Sequence, residues 1–305
     1  MSLRASCLGE LVAGLLGQGA SGEVTKVFPR SVYLRTGNDF LLLLWGALRS
    51  PMTANLPEPR GRSKGIRVGQ EFRLGSDRIE LDVLTVDVGG VKVHHSGLLA
   101  RRDPVLLVKS ELVRGASTLK SLYDVVQVGP VLARDRALTN FVSETLTPFV
   151  EGEEGEVFRL QSYRGLIGRG GGFTPAGDDF VAGFVGTFNY IARCRRDRTI
   201  SIPLRWVLSK TVPESGAILA YAAKGYVDEG LERLILSSTQ GKGPGFSKEL
   251  LSVASRGHTS GLDMSLGVLL CGATLVERES HDGTLQRCAQ VIGGGRRRTL
   301  YTVPG

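Results

Sequence analysis

The N-terminal part of the chain consists of short runs in which hydrophobic and polar residues alternate. Ile79, Leu81 and Val83 belong to one such run, and the turn residues at 36–39 separate two others. Alternation with a period of two is typical of strands that bury one face, and a Gly-Asn turn between two runs favours an antiparallel hairpin. We therefore predict a small antiparallel β barrel or sandwich in a β-rich domain of residues 1–105. Residues 50–65, rich in Pro, Arg and Gly, are predicted to form a long loop within it.

The spacing of apolar residues changes after about residue 105. In the segment 134–150 they recur at helical intervals, which puts Leu138, Phe141, Val142, Leu146 and Phe149 on one face. A helix is also predicted to begin at Ser117 as its capping residue. Further helical runs are predicted at 178–194, 214–224, 226–237, 246–255 and 263–276. The fold class predicted for the whole chain is α+β, with a mainly helical domain over residues 106–305.

The composition also indicates where in the cell the protein is located. Of the 305 residues, 42% are hydrophobic and 22% are charged, as in ordinary globular proteins. The apolar stretch Phe40–Leu48 is too short to cross a bilayer, and Glu10 interrupts the apolar opening that a secretion signal would need. The four cysteines are widely separated and lack zinc-ligand spacing, which predicts free thiols. These features favour a cytoplasmic protein with no membrane span.

A net charge of +8 raises the question of an acidic partner. The excess arginine is concentrated at 193–198 and 293–301, and neither segment is interleaved with the aromatic residues of a single-strand binding platform. We therefore interpret the clusters as surface rather than as a nucleic-acid interface. The adjacent His94 and His95 would point to opposite faces of an edge strand, so a shared metal is not expected.

The stretch GRGGGFTPAGDDFVAG, residues 168–183, carries the strongest chemical signal. Its glycines allow several backbone N–H groups to point into one concavity, and the helix that follows adds free N–H donors and a partial positive charge. Such a loop is suited to phosphate or carboxylate. The neighbouring Asp178 and Asp179 leave alternatives open: they cap the helix, bind Mg²⁺, or accept hydrogen bonds from amide or ammonium groups of a ligand.

A second stretch, RGHTSGLDMSLGVLLCG at 256–272, is similar to the first. With a one-residue gap, Thr259 aligns with Thr174, and Gly261, Asp263 and Gly267 align with Gly177, Asp179 and Gly183. We interpret this as a short internal duplication and predict that the two helix starts converge on one pocket. A glycine four residues after each aspartate shares its helix face, so it permits close approach of a second helix or of a ligand.

These two stretches resemble the signatures of the AllH-like family, G-x-G-x-G-L-T-P-S-G-D-D-F-L-A-G and G-H-S-S-G-x-D-x-x-x-G. The segment KTVPESGAILAYAAKG at 210–225 resembles the family pattern between them, T-x-x-x-S-x-x-x-L-x-x-A-x-x-G. One branch of that family is a subunit of oxamate carbamoyltransferase, which interconverts oxalurate plus phosphate with oxamate plus carbamoyl phosphate, so the resemblance implies a related role for this chain. Ala176 stands where the family has serine, so one hydroxyl ligand is absent from this chain.

The resulting hypothesis is a carbamoyltransferase-like protein or subunit that binds a small anionic metabolite such as carbamoyl phosphate, oxalurate or oxamate. His258, Asp179 and Asp263 are the predicted catalytic residues, with His258 as general acid or base. The predicted substrate-binding residues are Gly168, Gly170, Gly171, Gly172, Thr174, Gly177, Asp178, Thr259, Ser260 and Gly261. Asp178 and Asp179 are the predicted ligands if the protein uses Mg²⁺.

Two alternatives remain at this point. The first is a non-catalytic binding or scaffold subunit that needs partner chains, or further copies of itself, to complete a site. The second is a metal-dependent, phosphate-handling enzyme, although the chain has no G-x-x-x-x-G-K-[ST] motif. The sequence does not distinguish them.

Overall fold

The computed structural model describes residues 1–57, 63–100, 105–126, 135–151, 160–240, 245–256 and 259–292. The chain divides into two compact units: Met1–Gly97 with Tyr226–Glu229, and Leu98–Gly225 with the residues from Gly230 onward. The first unit is built on a sheet and the second is mainly helical, which confirms the predicted α+β class.

The first unit contains one curled, mixed sheet that forms a half-barrel, with ten strands among the described residues. The strands lie in the spatial order β1-β9-β8-β7-β3-β4-β5-β6-β2-β10. Their bounds are β1 Ser2–Arg4, β2 Cys7–Gly9, β3 Ser21–Phe28, β4 Ser31–Thr36, β5 Asp39–Trp45, β6 Thr53–Leu56, β7 Glu71–Leu74, β8 Arg78–Leu81, β9 Leu84–Asp87 and β10 Val93–His94. A short helix, α1, spans Glu10–Leu15.

Strand pairing follows the predicted hairpins and adds three parallel contacts. The pairs β3–β4, β4–β5, β3–β7, β7–β8, β8–β9 and β2–β6 are antiparallel, whereas β1–β9, β2–β10 and β5–β6 are parallel. The concave core contains Leu34, Leu43, Trp45 and Phe72, each nearly inaccessible to solvent. Burying these alternate side chains is the main force that fixes the strand register.

Two details of the β prediction are wrong. Val83 was expected to face inward, but it lies in the turn between β8 and β9 and is exposed. The segment 50–65 was expected to be a loop, yet it contains β6, whose four residues are all buried. Thr53 Oγ1 lies 2.9 Å from Asn55 Oδ1, and the Asn55 amide donates to Gly46 O at 2.9 Å and Leu48 O at 2.8 Å. Polar side chains therefore hold a strand that hydrophobic alternation does not reveal.

The edge strand β10 contains His94, and His95 follows it directly. The strand pairs with β2 at one end of the sheet order, and His95 Nδ1 lies 3.1 Å from Glu10 Oε2. Among the described residues, no group of three or more His, Cys, Asp or Glu side chains is arranged to hold a metal.

The remaining helices are α2 Gly97–Ala100, α3 Lys109–Val126, α4 Arg136–Phe141, α5 Thr147–Val150, α6 Ala176–Arg195, α7 Leu204–Val207, α8 Pro213–Lys224, α9 Glu229–Gln240, α10 Phe246–Ala254, α11 Ser260–Ser280 and α12 Thr284–Ile292. A π-helical turn at Val142–Leu146 joins α4 to α5, and a 3₁₀ helix spans Leu160–Gly165. The predicted apolar face of 134–150 is confirmed: all five of its members are buried. Ser117 does not cap a helix; α3 begins eight residues earlier, and Ser117 Oγ donates to Val113 O at 3.2 Å within it.

Helices α6 and α11 form the centre of the second unit. Every residue of α6 from Ala176 to Ala192 is buried. Helix α11 is long and apolar enough to cross a membrane, but 83% of its apolar window is buried inside the protein. Burial on all sides gives both helices the nearly continuous hydrophobic composition of core helices. Their N-terminal ends are the two stretches singled out in the sequence.

Candidate functional site

The starts of α6 and α11 are equivalent in structure as well as in sequence. Pro175 and Thr259 are the residues that precede the first helical residue, and neither caps its helix through a side chain. Counting from the first helical residue, Asp179 and Asp263 are both fourth in their helices. Superposing the helices residue by residue therefore pairs Thr259 with Pro175. The predicted alignment paired Thr259 with Thr174 by means of a one-residue gap, and no such gap is needed within the helices.

The two helices cross at a pair of equivalent glycines. A Cβ atom added to Gly183 would lie 2.2 Å from Met264 O, and one added to Gly267 would lie 2.1 Å from Phe180 O. Each glycine is the eighth residue of its helix, and each carbonyl belongs to the fifth residue of the other helix. The crossing is therefore a local two-fold arrangement that only residues without a side chain permit. The sequence predicted that either a second helix or a ligand would lie against this face, and the structure shows a second helix.

Hydrogen bonds link the two helix starts directly. Thr174 Oγ1 donates to Asp179 Oδ2 at 2.9 Å, and it lies 2.9 Å from Ser260 Oγ. Asp179 and Asp263 are both buried, with 2% and 0% of their surface exposed. The structure thus brings together four predicted site residues, Thr174, Asp179, Ser260 and Asp263, from distant parts of the sequence. The hydroxyl that joins the two stretches belongs to Ser260 rather than to Thr259.

Burial raises the pKa of Asp179 to about 7. Desolvation of the carboxylate is the largest cause, and the charges of Asp263 and Asp178 raise the pKa further. Hydrogen bonds from Ser260 and Thr174 oppose the shift, because they stabilise the ionised form. A carboxyl group that titrates near neutrality is suited to exchanging a proton with a bound reactant.

Asp178 has a different environment from its neighbour. Its Oδ1 accepts a hydrogen bond from Gly168 N at 2.7 Å, and its Oδ2 accepts from Ser215 Oγ at 2.7 Å and from Thr211 Oγ1. It therefore ties the glycine-rich loop to the start of α6 and to α8, instead of capping its own helix. Both oxygens accept hydrogen bonds within the protein, and the predicted binding of Mg²⁺ by Asp178 and Asp179 stays a prediction. The predicted contact with substrate stays a prediction for Asp178.

The glycine-rich loop has the backbone geometry that its composition predicts. Gly168, Gly170 and Gly172 have φ values of 77°, 89° and 115°, which side-chain-bearing residues rarely adopt. The loop is exposed from 168 to 172. The N–H groups of Gly170, Gly171 and Gly172 donate to no other residue in the described part of the chain. Three successive donors are therefore available beside the N-terminus of α6, as anion binding by such a loop requires.

Two glycines of the site have a packing role. A Cβ atom on Gly177 would lie 1.8 Å from Leu166 O, and one on Gly261 would lie 1.9 Å from Val253 O. These are the second residues of α6 and α11, and each lets a preceding backbone segment cross the start of its helix. This close packing keeps the two helix starts equivalent, and the predicted role of both glycines in substrate binding stays a prediction.

His258 and Gly257 lie outside the described residues, so the predicted general acid or base role of His258 remains a prediction. Arg195, in the first arginine cluster, forms an ion pair with Glu279, while 296–298 in the second cluster lie outside the described residues.

The sequence analysis missed three residues at this site. Thr211 and Ser215 bind Asp178, and their signal was the T-x-x-x-S spacing of the segment 210–225. Arg169, within the glycine-rich stretch, was not singled out. Its Nε donates to Gly165 O at 2.7 Å, and its guanidinium lies 3.8 Å from Asp135 Oδ1.

The fold and site define a protein with a curled β unit and a helical unit in which two related helix starts meet beside a glycine-rich loop. Residues 166–272, which contain both helix starts, match the family model described as oxamate carbamoyltransferase subunit AllH. The match confirms the resemblance seen in the sequence. No curated protein and no solved structure matches the chain.

Proposed function

We propose that the protein is a carbamoyltransferase-related subunit that binds a small anionic metabolite at the glycine-rich loop. The observation that carries this proposal is the meeting of Thr174, Ser260, Asp179 and Asp263 beside the open N–H groups of Gly170, Gly171 and Gly172. The family match of the same segment supports the reaction class. A cytoplasmic location accompanies the proposal.

The loop supplies binding energy for the anion. Three backbone donors and the start of α6 together offer a phosphate or carboxylate several charge-assisted hydrogen bonds, which are stronger than bonds between neutral groups. Because Asp178 fixes Gly168 and thereby the loop, these donors are arranged before the ligand arrives. Such preorganisation lowers the entropic cost of binding.

The buried acid pair supplies a proton site. With its pKa near 7, Asp179 changes charge in the range where carbamoyl transfer would have to move a proton to or from an amide nitrogen. Thr174 and Ser260 connect Asp179 to the loop through hydroxyl groups that both donate and accept. In this role Asp179 acts through the hydroxyl pair, while burial, with a smaller contribution from the charge of Asp263, raises its pKa.

The test is an assay of the purified chain alone. Phosphate-dependent cleavage of oxalurate and formation of carbamoyl phosphate are measured together with calorimetric binding of carbamoyl phosphate, oxamate and phosphate. Binding with turnover supports a catalytic subunit. Absence of binding by all of these compounds would refute the proposal.

A non-catalytic subunit is the second candidate, and it is favoured because the matching family is described as a subunit. In that case the chain binds the anion but does not turn it over, and a partner chain supplies the missing groups. Binding without turnover, followed by turnover on addition of the partner subunits, distinguishes this candidate from the first.

A further inference from the structure

A hollow of about 360 Å³ borders the glycine-rich loop on the side of α4. Gly165, Leu166 and Arg169 line it beside the loop, and several residues between Asp135 and Thr145 line the rest. Its volume is at the lower end of the range for small-molecule sites, which begins at about 300 Å³. The space therefore suits a metabolite of a few heavy atoms with some water, rather than a nucleotide.

The part of the lining at α4 presents polar groups at regular intervals. Arg136, Asn140 and Glu144 are spaced four residues apart, so they follow one face of the helix, and all three are exposed. The π-helical turn that begins at Val142 widens this face by one residue, which brings Thr145 into the lining beside Glu144. Thr145 Oγ1 is hydrogen-bonded to Ser162 Oγ, and both residues line the hollow.

Arg169 is the cation beside the loop, and three contacts define its position. Its Nε donates to Gly165 O at 2.7 Å, its guanidinium lies 3.8 Å from Asp135 Oδ1, and its carbonyl oxygen accepts from Gly177 N at 2.9 Å. Asp135 is itself held by a bond from Ala137 N at 2.8 Å at the start of α4. The backbone of Arg169 is thus attached to the helix that carries Asp178 and Asp179, which couples the hollow to the loop.

The charges of the lining restrict the kind of ligand. A simple anion such as phosphate would meet Glu144 and Asp135 as well as the two arginines, and a simple cation would meet Arg136 and Arg169. A small molecule with a carboxylate at one end and N–H groups at the other satisfies both sets. Phe141 and Leu166 supply an apolar surface on which a planar amide can lie.

We propose that this hollow binds a small carboxylate that also carries an amide or ureido group, with Arg169 and Arg136 on the carboxylate and Glu144 accepting from the N–H groups. The proposal rests on the proposed function, because it puts the organic substrate next to the loop that holds phosphate. It adds Arg169 and Glu144 as specificity-determining residues.

The experiment measures calorimetric binding of oxamate, which has both groups, and of oxalate, which lacks the amide. Arg169→Gln is expected to weaken oxamate binding at least tenfold. Glu144→Gln is expected to weaken oxamate severalfold while oxalate binding is unchanged or stronger, because one negative charge is lost. Arg198→Gln is the matched control, since Arg198 is an exposed arginine beyond the other end of α6. It should bind both compounds as the wild type does.

The outcomes separate this proposal from the proposed function. The first outcome is that the wild type binds carbamoyl phosphate or phosphate, and that Arg169→Gln and Glu144→Gln both bind oxamate with unaltered affinity. This outcome would refute ligand binding in the hollow but not anion binding at the glycine-rich loop. Failure of the wild type to bind any of the four compounds overturns both. Circular dichroism and thermal unfolding of each variant verify that a lost affinity is not a lost fold.

Discussion

Gly183 in α6 and Gly267 in α11 each lie against a backbone carbonyl of the other helix, at 2.2 Å and 2.1 Å from the position that a Cβ atom would take. This reciprocal contact sets the distance between the two helix starts. Because Asp179 and Asp263 lie one turn before these glycines, the crossing also determines how strongly the two carboxylates influence each other. The packing of two glycines thus underlies the electrostatics of the candidate site.

Gly267→Ala is expected to destabilise the protein strongly. The new methyl group would overlap Phe180 O and approach Phe184 N at 2.8 Å, so α6 and α11 must move apart in a close-packed core. A loss of about 2–4 kcal/mol in the free energy of unfolding is expected, measured by urea denaturation. Gly171→Ala is the control: nothing lies within 4 Å of its Cβ position, so a change within about 0.5 kcal/mol is expected. Equal losses in the two variants would contradict the crossing geometry.

Asp179 should make stability depend on pH. Its pKa is raised from 3.8 to about 7, so between these values the folded protein binds a proton that the unfolded chain has released. The free energy of unfolding should therefore fall as pH rises through this window, by roughly 4 kcal/mol at most from this group. Asp179→Asn carries no titrating carboxyl and should lose this component.

Denaturation of both proteins at pH 5 and pH 8 checks the sign. Asparagine keeps an oxygen to accept from Thr174, so the variant should be at least as stable as the wild type at pH 8, where the buried carboxylate is charged. A wild-type protein that gains stability from pH 5 to pH 8 relative to the variant would show that the pKa is not raised.

Asp178→Asn should destabilise the protein at neutral pH, in contrast to Asp179→Asn. The carboxylate accepts from Gly168 N and from two hydroxyls, and an amide group replaces one acceptor oxygen by a donor. We expect a loss of about 1–3 kcal/mol at neutral pH and faster trypsin cleavage after Arg169, since the loop loses its attachment. Mass spectrometry of the fragments identifies the cut. If Asp179→Asn is cleaved there as fast as Asp178→Asn, the attachment of the loop does not depend on Asp178.

The cysteines provide a test of helix packing. None of the four described cysteines is in a disulfide; Cys7, Cys271 and Cys288 are buried, whereas Cys194 near the end of α6 is half-buried. Burial raises the pKa of Cys288 to about 12 and raises that of Cys271 as well, so neither forms a thiolate at neutral pH. Native protein should therefore react with a disulfide reagent first at Cys194, and rapid labelling of Cys271 in native conditions would be inconsistent with the α6–α11 core.

Sequence patterns predicted the parts of the fold that depend on local periodicity. The apolar face of 134–150 was found because burial imposes spacings of three or four residues, and the two glycine-aspartate helix starts were found from their similarity to each other. Strand β6 was missed because it lies between β5 and β2 with all four residues buried, so its hydrophobic and polar residues do not alternate. The parallel pairs were missed because they join segments that no turn connects.

The candidate site was also predicted only in part from the sequence. The convergence of Thr174 with Ser260 was predictable from the internal similarity, whereas the separate environments of Asp178 and Asp179 were not. Adjacent residues on a helix point about 100° apart, so one carboxylate meets the loop and α8 while the other meets α11. The ion pair of Arg169 joins it to Asp135 at the start of α4, and the pattern of glycines gives no information about that contact.

The central claim, that the glycine-rich loop binds a small anion, is tested most directly by the backbone amides themselves. Protein labelled with ¹⁵N-glycine is titrated with carbamoyl phosphate, and the amide signals are followed by NMR. The account predicts saturable shifts at Gly170, Gly171 and Gly172, and no comparable shift at Gly14 or Gly37 in the β unit. Signals of the three loop glycines that stay unchanged at saturating ligand, or shifts confined to other glycines, would contradict it.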